Sequence, residues 1–345
     1  MSQATDQQII EILKMEAIPA LGCTEPVACA LACARCKEEL GGVPEKIEVY
    51  VSGNIYKNGM GVGIPGTGIV GLPIAAALGA VCGKTEYGLE VLKEVSVGDN
   101  LQVAKSMLDH NAVKISLKEN APDKLYAEAI CHKGADSVKT VIVHGHTNIA
   151  LVEKNGNTVY SKNDTPVAAE ANERAELSLA RIWDFVHNIE VEKIDFLLEG
   201  AEMNKAISNE GLNGEYGLQI GRTLKENIDK GVLDNDFLNN VLIRATAASD
   251  ARMDGCEKPV MTNSGSGNQG ITVYLPVVVA AERFDCSREQ LIRALALSNL
   301  VAAHIHYYMG HLSALCGITI AATGSASAIT YLMGGGYEEV AIAVK

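Results

Sequence analysis

Aromatic side chains are scarce in this chain, with one tryptophan, Trp183, and four phenylalanines among 345 residues. A core of this size must therefore be built from aliphatic residues and alanine, which favours closely packed helices. Basic residues are also few: 29 Lys and Arg stand against 42 Asp and Glu, a net charge of −13. That balance argues against a nucleic-acid binder, which needs basic patches. It leaves room for a small zwitterionic substrate, which feels only the local field. Long unbroken apolar runs are missing too. The stretches 69–82 and 271–281 are short, and 299–333 is interrupted by His304, His306, His311 and several glycines, so no membrane span is expected. Asp6, Glu11, Lys14 and Glu16 interrupt the first apolar positions, so no secretory signal is read there. The cysteines, at 23, 29, 33, 36, 82, 131, 256, 286 and 316, are odd in number. A disulfide framework is thus not expected, and a reducing cytoplasm is the natural setting.

The patterns that are present divide the chain into two kinds of structure. Ile9, Ile10, Leu13 and Ala17 predict a short amphipathic helix ending before Pro19, and a second helix covers about 25–40 and stops at Gly41-Gly42. Ile47, Val49 and Val51 alternate as a strand, and further strands are predicted at 112–118, 124–132, 137–144, 147–153 and 157–160, the last two joined by a turn at Lys154-Asn155-Gly156-Asn157. From about Ala169 the pattern is helical: 172–187, 193–210, 216–229, 234–250, 269–283, 287–309, 314–332 and 336 onward. The expected fold is α+β. A mixed α/β part with a mostly antiparallel sheet (1–168) precedes an all-helical part (169–345), with the boundary near Asn163-Asp164-Thr165-Pro166.

Three segments carry chemistry. In Leu21-Gly22-Cys23-Thr24-Glu25-Pro26 a thiol precedes a helix start, with Thr24 as N-cap, Glu25 in the first turn and Pro26 where a missing N–H costs least. The helix terminus is expected to lower the pKa of Cys23 and hold it as thiolate, a metal ligand or nucleophile; an inert buried cysteine is the alternative. Thr262-Asn263-Ser264-Gly265-Ser266-Gly267-Asn268-Gln269-Gly270 is polar and glycine-rich and leads into an apolar helix, a combination suited to an anion at a helix N-terminus. No Lys-Ser/Thr pair follows, so it is not a nucleotide P-loop. Leu312-Ser313-Ala314-Leu315-Cys316-Gly317 again sets a cysteine against a glycine after an apolar stretch. The separation of Cys23 from Cys316 excludes a local cysteine ladder or zinc knuckle. The glycine-dense segment Gly59–Gly71 lacks a dinucleotide fingerprint; it either cradles a carboxylate or permits close backbone approach.

Taken together and in this order, the Gly22–Pro26, Asn263–Gly270 and Leu312–Gly317 segments resemble the L-cysteine desulfidase branch of the iron-sulphur L-serine dehydratase alpha-chain family. The resemblance covers nearly the whole chain. It implies a cytoplasmic [4Fe-4S] lyase that eliminates the β-substituent of a small amino acid, L-cysteine giving sulphide, ammonia and pyruvate, with L-serine as the alternative substrate. It further implies that Cys23 and Cys316 are cluster ligands, that Glu25 and His146 are catalytic, and that Thr24, Asn263, Ser264, Gly265, Ser266, Gly267 and Asn268 bind substrate. Family members continue beyond the position of Lys345 with more cluster cysteines and tend to have a cysteine where Ile318 stands. The chain is therefore expected to be a shortened form, and a non-catalytic amino-acid-binding protein without the cluster is the second reading. An apolar end helix without neighbours is expected to be exposed or covered in a homodimer.

Other groups suggest weaker sites. His144 and His146, if on one strand, face the same side and could bind zinc; a sheet-edge hydrogen bond is the alternative. His304 and His311 share a helix face while His306 points elsewhere. Arg244, Asp250, Arg252 and Asp254 read as a solvated salt-bridge network. Cys29 and Cys33 read as small core residues of the helix begun near Thr24.

Overall fold

The computed structural model describes residues 4–162, 176–309 and 317–345. It divides into two compact units. One, the sheet unit, comprises Ala20–Pro166 with Arg252–Glu257; the other, the helical unit, comprises Met1–Pro19, Val167–Ala251 and Lys258–Lys345. The α+β class and the change from sheet to helices along the chain follow the expectation from sequence. The boundary near 163–168 lies outside the described residues.

The helical unit begins with α1 (Asp6–Glu16), opened by a capping box in which Thr5 and Gln8 satisfy each other's backbone N–H groups. Its Ile9, Ile12 and Leu13 are fully buried, each contributing about 1.5–3 kcal/mol of apolar burial. In the sheet unit come α2 (Thr24–Leu40), α3 (Gly53–Gly59), α4 (Leu72–Val81) and α5 (Asn100–Asp109). Helix α2 is rich in alanine and cysteine on its buried faces and ends at Gly41 in a left-handed cap. Its small side chains let α4 approach so closely that a Cβ at Gly79 would collide with the Ala30 carbonyl. Cys29 and Cys33 are buried core residues there, as read from sequence, and Cys36 is buried with them.

Six strands form the sheet: β1 (Lys46–Val51), β2 (Val113–Leu117), β3 (Tyr126–Lys133), β4 (Asp136–Val143), β5 (Ile149–Lys154) and β6 (Asn157–Ser161). Their order is β2-β1-β3-β4-β5-β6; β1 and β2 run parallel and every other pair is antiparallel. Ile47, Val49, Val51, Ala127, Ala129 and Cys131 are the buried alternate residues that period-2 patterning requires. Asn155 and Gly156, with φ of 52 and 79, close the β5–β6 hairpin as a turn of that type demands. The hairpin β4–β5 turns at 144–148, so His144 and His146 do not share a strand face; His144 Nδ1 lies 3.1 Å from Asp123 Oδ2. The strand predicted to reach 144 stops at Val143 because His144 adopts a positive φ of 65.

The remaining helices are α6 (Leu179–Asn188), α7 (Leu197–Asn213), α8 (Ile220–Asp229), α9 (Phe237–Met253), α10 (Gly267–Arg283), α11 (Arg288–Met309), α12 (Gly317–Leu332) and α13 (Tyr337–Val344). The last two residues of α9 belong to the sheet unit. The helical core joins Ile9, Leu13, Phe185, Tyr274, Leu295 and Ile320 with many alanines and valines, as the scarcity of aromatics requires. His306 is buried on α11 and His304 is half-buried; His311 lies outside the described residues. No helix among the described residues is long and apolar enough to cross a membrane.

Candidate functional site

Two helix starts hold the residues singled out from sequence, one in each unit. The chain enters α2 through Gly22, whose φ is +76 and whose missing side chain leaves room for Pro65; a Cβ would approach the proline ring to 2.8 Å. The N-cap is Cys23, with Thr24 as the first helical residue, one position earlier than the sequence reading. Cys23 does not cap the helix with its side chain. Its thiol donates to Glu25 Oε2 at 2.9 Å, and Thr24 Oγ1 approaches the same oxygen at 3.4 Å. The other oxygen, Oε1, accepts from Asn58 Nδ2 at 3.0 Å. Burial alone would raise the pKa of Glu25. The charge of His146, with the hydrogen bonds from Cys23 and Asn58, outweighs it and holds the carboxyl below its ordinary range. His146 thus joins Cys23, Thr24 and Glu25 in one electrostatic neighbourhood.

Cys23 departs from the expectation. Burial and the adjacent Glu25 carboxylate push its thiol up to about 12, against a smaller opposing effect from Arg252. Cys23 is a protonated donor rather than a thiolate, because desolvation exceeds the modest stabilisation a helix terminus offers. Arg252 is not part of a solvated network either. It is 3% exposed, and its Nη2 donates to the Gly22 carbonyl at 3.0 Å, fixing the turn that presents Cys23. Asp250 instead accepts from the backbone N–H groups of Ile220 and Gly221 at 2.6 and 3.3 Å and so closes the start of α8. Arg244 pairs with Asn209. In the glycine-dense segment, close backbone approach is what the glycines permit: a Cβ at Gly63 would meet the Asp254 carbonyl group.

At the start of α10, Asn263 and Ser266 exchange backbone hydrogen bonds at 3.2 and 3.0 Å across a tight turn. Ser264 and Gly265, the central residues, have φ of 51 and 73, as a type I′ turn requires. Ser266 caps α10, its side chain accepting from the Gln269 N–H. Gly267 begins the helix and Asn268 follows, with its carbonyl accepting from Thr272. Gly270 lies so close to the preceding strand that a Cβ would overlap the Met261 carbonyl oxygen. Asn263 is fully buried and donates to Asn299 Oδ1 at 3.1 Å. Beneath the turn, the buried carboxylate of Glu16 accepts from the Ser264 N–H at 2.6 Å.

Sequence reasoning missed Asn58, Arg252, Glu16 and Asn299 as participants. Glu16 had a signal: it extends the Ile9, Ile12, Leu13 spacing and so falls on the apolar face of α1. Asn58 and Asn299 carry no comparable mark.

The chemistry of a cluster ligand fits Cys23, a soft donor at a helix mouth. It is the contribution the described residues make to such a set, for among them no three His, Cys, Asp or Glu side chains are grouped to hold a metal ion. Cys316 lies outside the described residues, as does the rest of the Leu312–Cys316 segment.

Comparison with known proteins places these features in a family. The family model described as serine dehydratase alpha chain matches residues 86–345. A UPF0597 protein of Phocaeicola vulgatus is 48% identical over 340 residues, covering 98% of this chain and 79% of that protein. Another from Parabacteroides distasonis is 48% identical over 341 residues, with coverage of 98% and 79%. One from Aeromonas hydrophila is 45% identical over 342 residues, with coverage of 98% and 77%. With most of its length matched by the family model and close relatives that it spans for more than three quarters of their length, this chain belongs to the serine dehydratase alpha-chain family.

Proposed function

We infer that this chain is a lyase for a small amino acid, removing the β-substituent of L-cysteine to give sulphide, ammonia and pyruvate. L-serine, losing water instead of sulphide, is the alternative substrate. The observation that carries this reading is the half-buried Glu25 carboxylate, kept ionised by the charge of His146 and by hydrogen bonds from Cys23 and Asn58. Elimination needs a base for the α-proton and a counter-charge for the ammonium. An ionised, half-buried carboxylate in the field of an imidazole supplies both kinds of group. As the α-proton leaves, the electron pair forms the Cα–Cβ double bond and the β-substituent departs with its bonding pair. The aminoacrylate gains a proton at Cβ to become an imine, and water converts that to pyruvate and ammonia.

A [4Fe-4S] cluster, implied by the family resemblance, supplies a Lewis acid for the leaving group when bound. Cys23 would hold one corner of it and Cys316 another. Arg252 keeps the Gly22 turn in place so that Cys23 is presented at the helix mouth. The first residues of α10, shaped by the Asn263–Ser266 turn, bind the substrate carboxylate at the positive end of the helix dipole.

Anaerobic reconstitution with iron and sulphide, followed by assays of sulphide and pyruvate release, tests the reading. Turnover that is lost in Glu25→Gln is the expected result. A protein carrying an assembled cluster that releases neither product from L-cysteine nor L-serine would falsify it. Binding of the amino acid without turnover under those conditions supports instead the second reading, a non-catalytic binding protein built on the same loop.

A further inference from the structure

Gln269 occupies the third position of α10 and has no part in the site as described so far. It is 6% exposed, and its Oε1 is sealed from solvent with no hydrogen-bond partner. A buried amide oxygen without a partner gives up its hydration with nothing in exchange, and folded interiors rarely tolerate it. A leucine or methionine of similar length would remove that cost. The amide is also given its own space. Gly317, the first residue of α12, lies against Gln269 Nε2, and any side chain at 317 would overlap the amide. The start of α10 and the backbone of Gly317 therefore both abut this one side chain. The start of α10 is also the positive end of a helix dipole.

We propose that Gln269 is a substrate-binding residue that reads the α-amino-acid head group, its Nε2 donating to the carboxylate and its Oε1 accepting from the ammonium. A primary amide carries a donor and an acceptor side by side. An α-amino acid carries the complement, an acceptor carboxylate next to a donor ammonium. The start of α10 adds positive potential on the carboxylate side, and the unpaired Oε1 is the acceptor that the ammonium completes. A ligand with a carboxylate but no ammonium leaves Oε1 unpaired and is rejected for that reason. The inference rests on the proposed function and names the group that selects amino acids from other small acids.

The test is calorimetric titration of the full chain, anaerobically purified, with L-serine and with 3-hydroxypropionate, which lacks only the ammonium. The native chain is expected to bind L-serine at least ten-fold more tightly than 3-hydroxypropionate. In Gln269→Leu, affinity for L-serine should fall ten-fold or more and the discrimination should collapse towards one. Unliganded Gln269→Leu should melt no lower than the native chain, because an unpaired buried amide has gone; a purely structural glutamine would lower the melting temperature. Gly317→Ala, which displaces the amide without removing it, should lose the same discrimination and serves if the leucine variant does not fold. Native binding with discrimination unchanged in these variants overturns the inference and leaves the proposed function standing. A native chain that binds neither ligand overturns both.

Discussion

The starts of α2 and α10 solve one problem in two ways. At each, backbone or side-chain donors near a helix N-terminus meet a glutamate withdrawn from solvent, half-buried Glu25 at α2 and fully buried Glu16 at α10. At α2 the carboxylate is local: Glu25 stands two residues from the Cys23 thiol it binds. At α10 it is remote: Glu16 reaches the Ser264 N–H across 248 residues of sequence. The local arrangement leaves Glu25 hydrogen-bonded to a thiol and in the field of an imidazole, groups that can do chemistry. The remote one places its carboxylate under the turn, where it holds backbone shape. Proximity in sequence is thus no guide to which carboxylate is structural; the partner's chemistry is.

The sharpest way to break the comparison is to neutralise each glutamate. Glu25→Gln is expected to reduce turnover of the reconstituted protein by about 10²–10⁴-fold, the usual worth of a positioned acid or base, while circular dichroism remains native. Equal loss from Glu16→Gln would show that the two carboxylates are not functionally distinct. Next in size are the glycines that bring backbones together. Gly270→Ala and Gly79→Ala each force a methyl into a carbonyl oxygen, and each should cost more than about 3 kcal/mol, seen as loss of a cooperative thermal transition. Glu16→Ala leaves the Ser264 N–H without its acceptor and should destabilise by about 1–3 kcal/mol in urea denaturation, with little change in residual activity per folded molecule.

The pH response separates the two regions further. Glu25 has its pKa lowered in the folded chain, so its contribution to stability is fully present above the unfolded carboxylate value of about 4.3 and is lost as pH falls through the lower folded value. The difference in melting temperature between native protein and Glu25→Gln should therefore be constant near neutrality and shrink only in acid. The smallest effect is one of reactivity. With its pKa at about 12, Cys23 is roughly one part in 10⁴ thiolate at pH 8 and is buried as well. Cys286, the one half-exposed cysteine among the described residues, should be alkylated well before Cys23 in peptide mapping of the metal-free chain. Rapid labelling of Cys23 would show an open, thiolate-forming site.

Much of the fold was legible because it is written in short-range patterns. Alternation gave the strands from Lys46 to Ser161, Asn155-Gly156 gave the hairpin, and the glycine–serine run before Ile271 announced a turn at a helix start. Two helices passed unnoticed, α3 and α5, being short and marked by no long apolar period. The parallel pairing of β1 with β2 was equally hidden, since alternation specifies which face is buried but not which strand lies alongside. Within the site, Cys23 and Glu25 could be chosen from their position at a helix mouth. The protonation of Cys23 could not, because it depends on desolvation by residues distant in sequence.

By itself the sequence determined the fold class, the starts of α2 and α10 to within about two residues, and the residue types with usable chemistry at those places. These follow from periodicity and from backbone preferences of glycine, proline and short polar residues, which act over a few positions. Only the tertiary structure decided which donors meet which acceptors: Asn58 on Glu25, Arg252 on the Gly22 carbonyl, Glu16 on Ser264, Asn263 on Asn299. It also decided that Arg252 is buried while Cys23 stays a thiol. Burial removes water from both partners at once, and the cost or gain then depends on what the fold brings within about 3 Å, a distance no local pattern encodes.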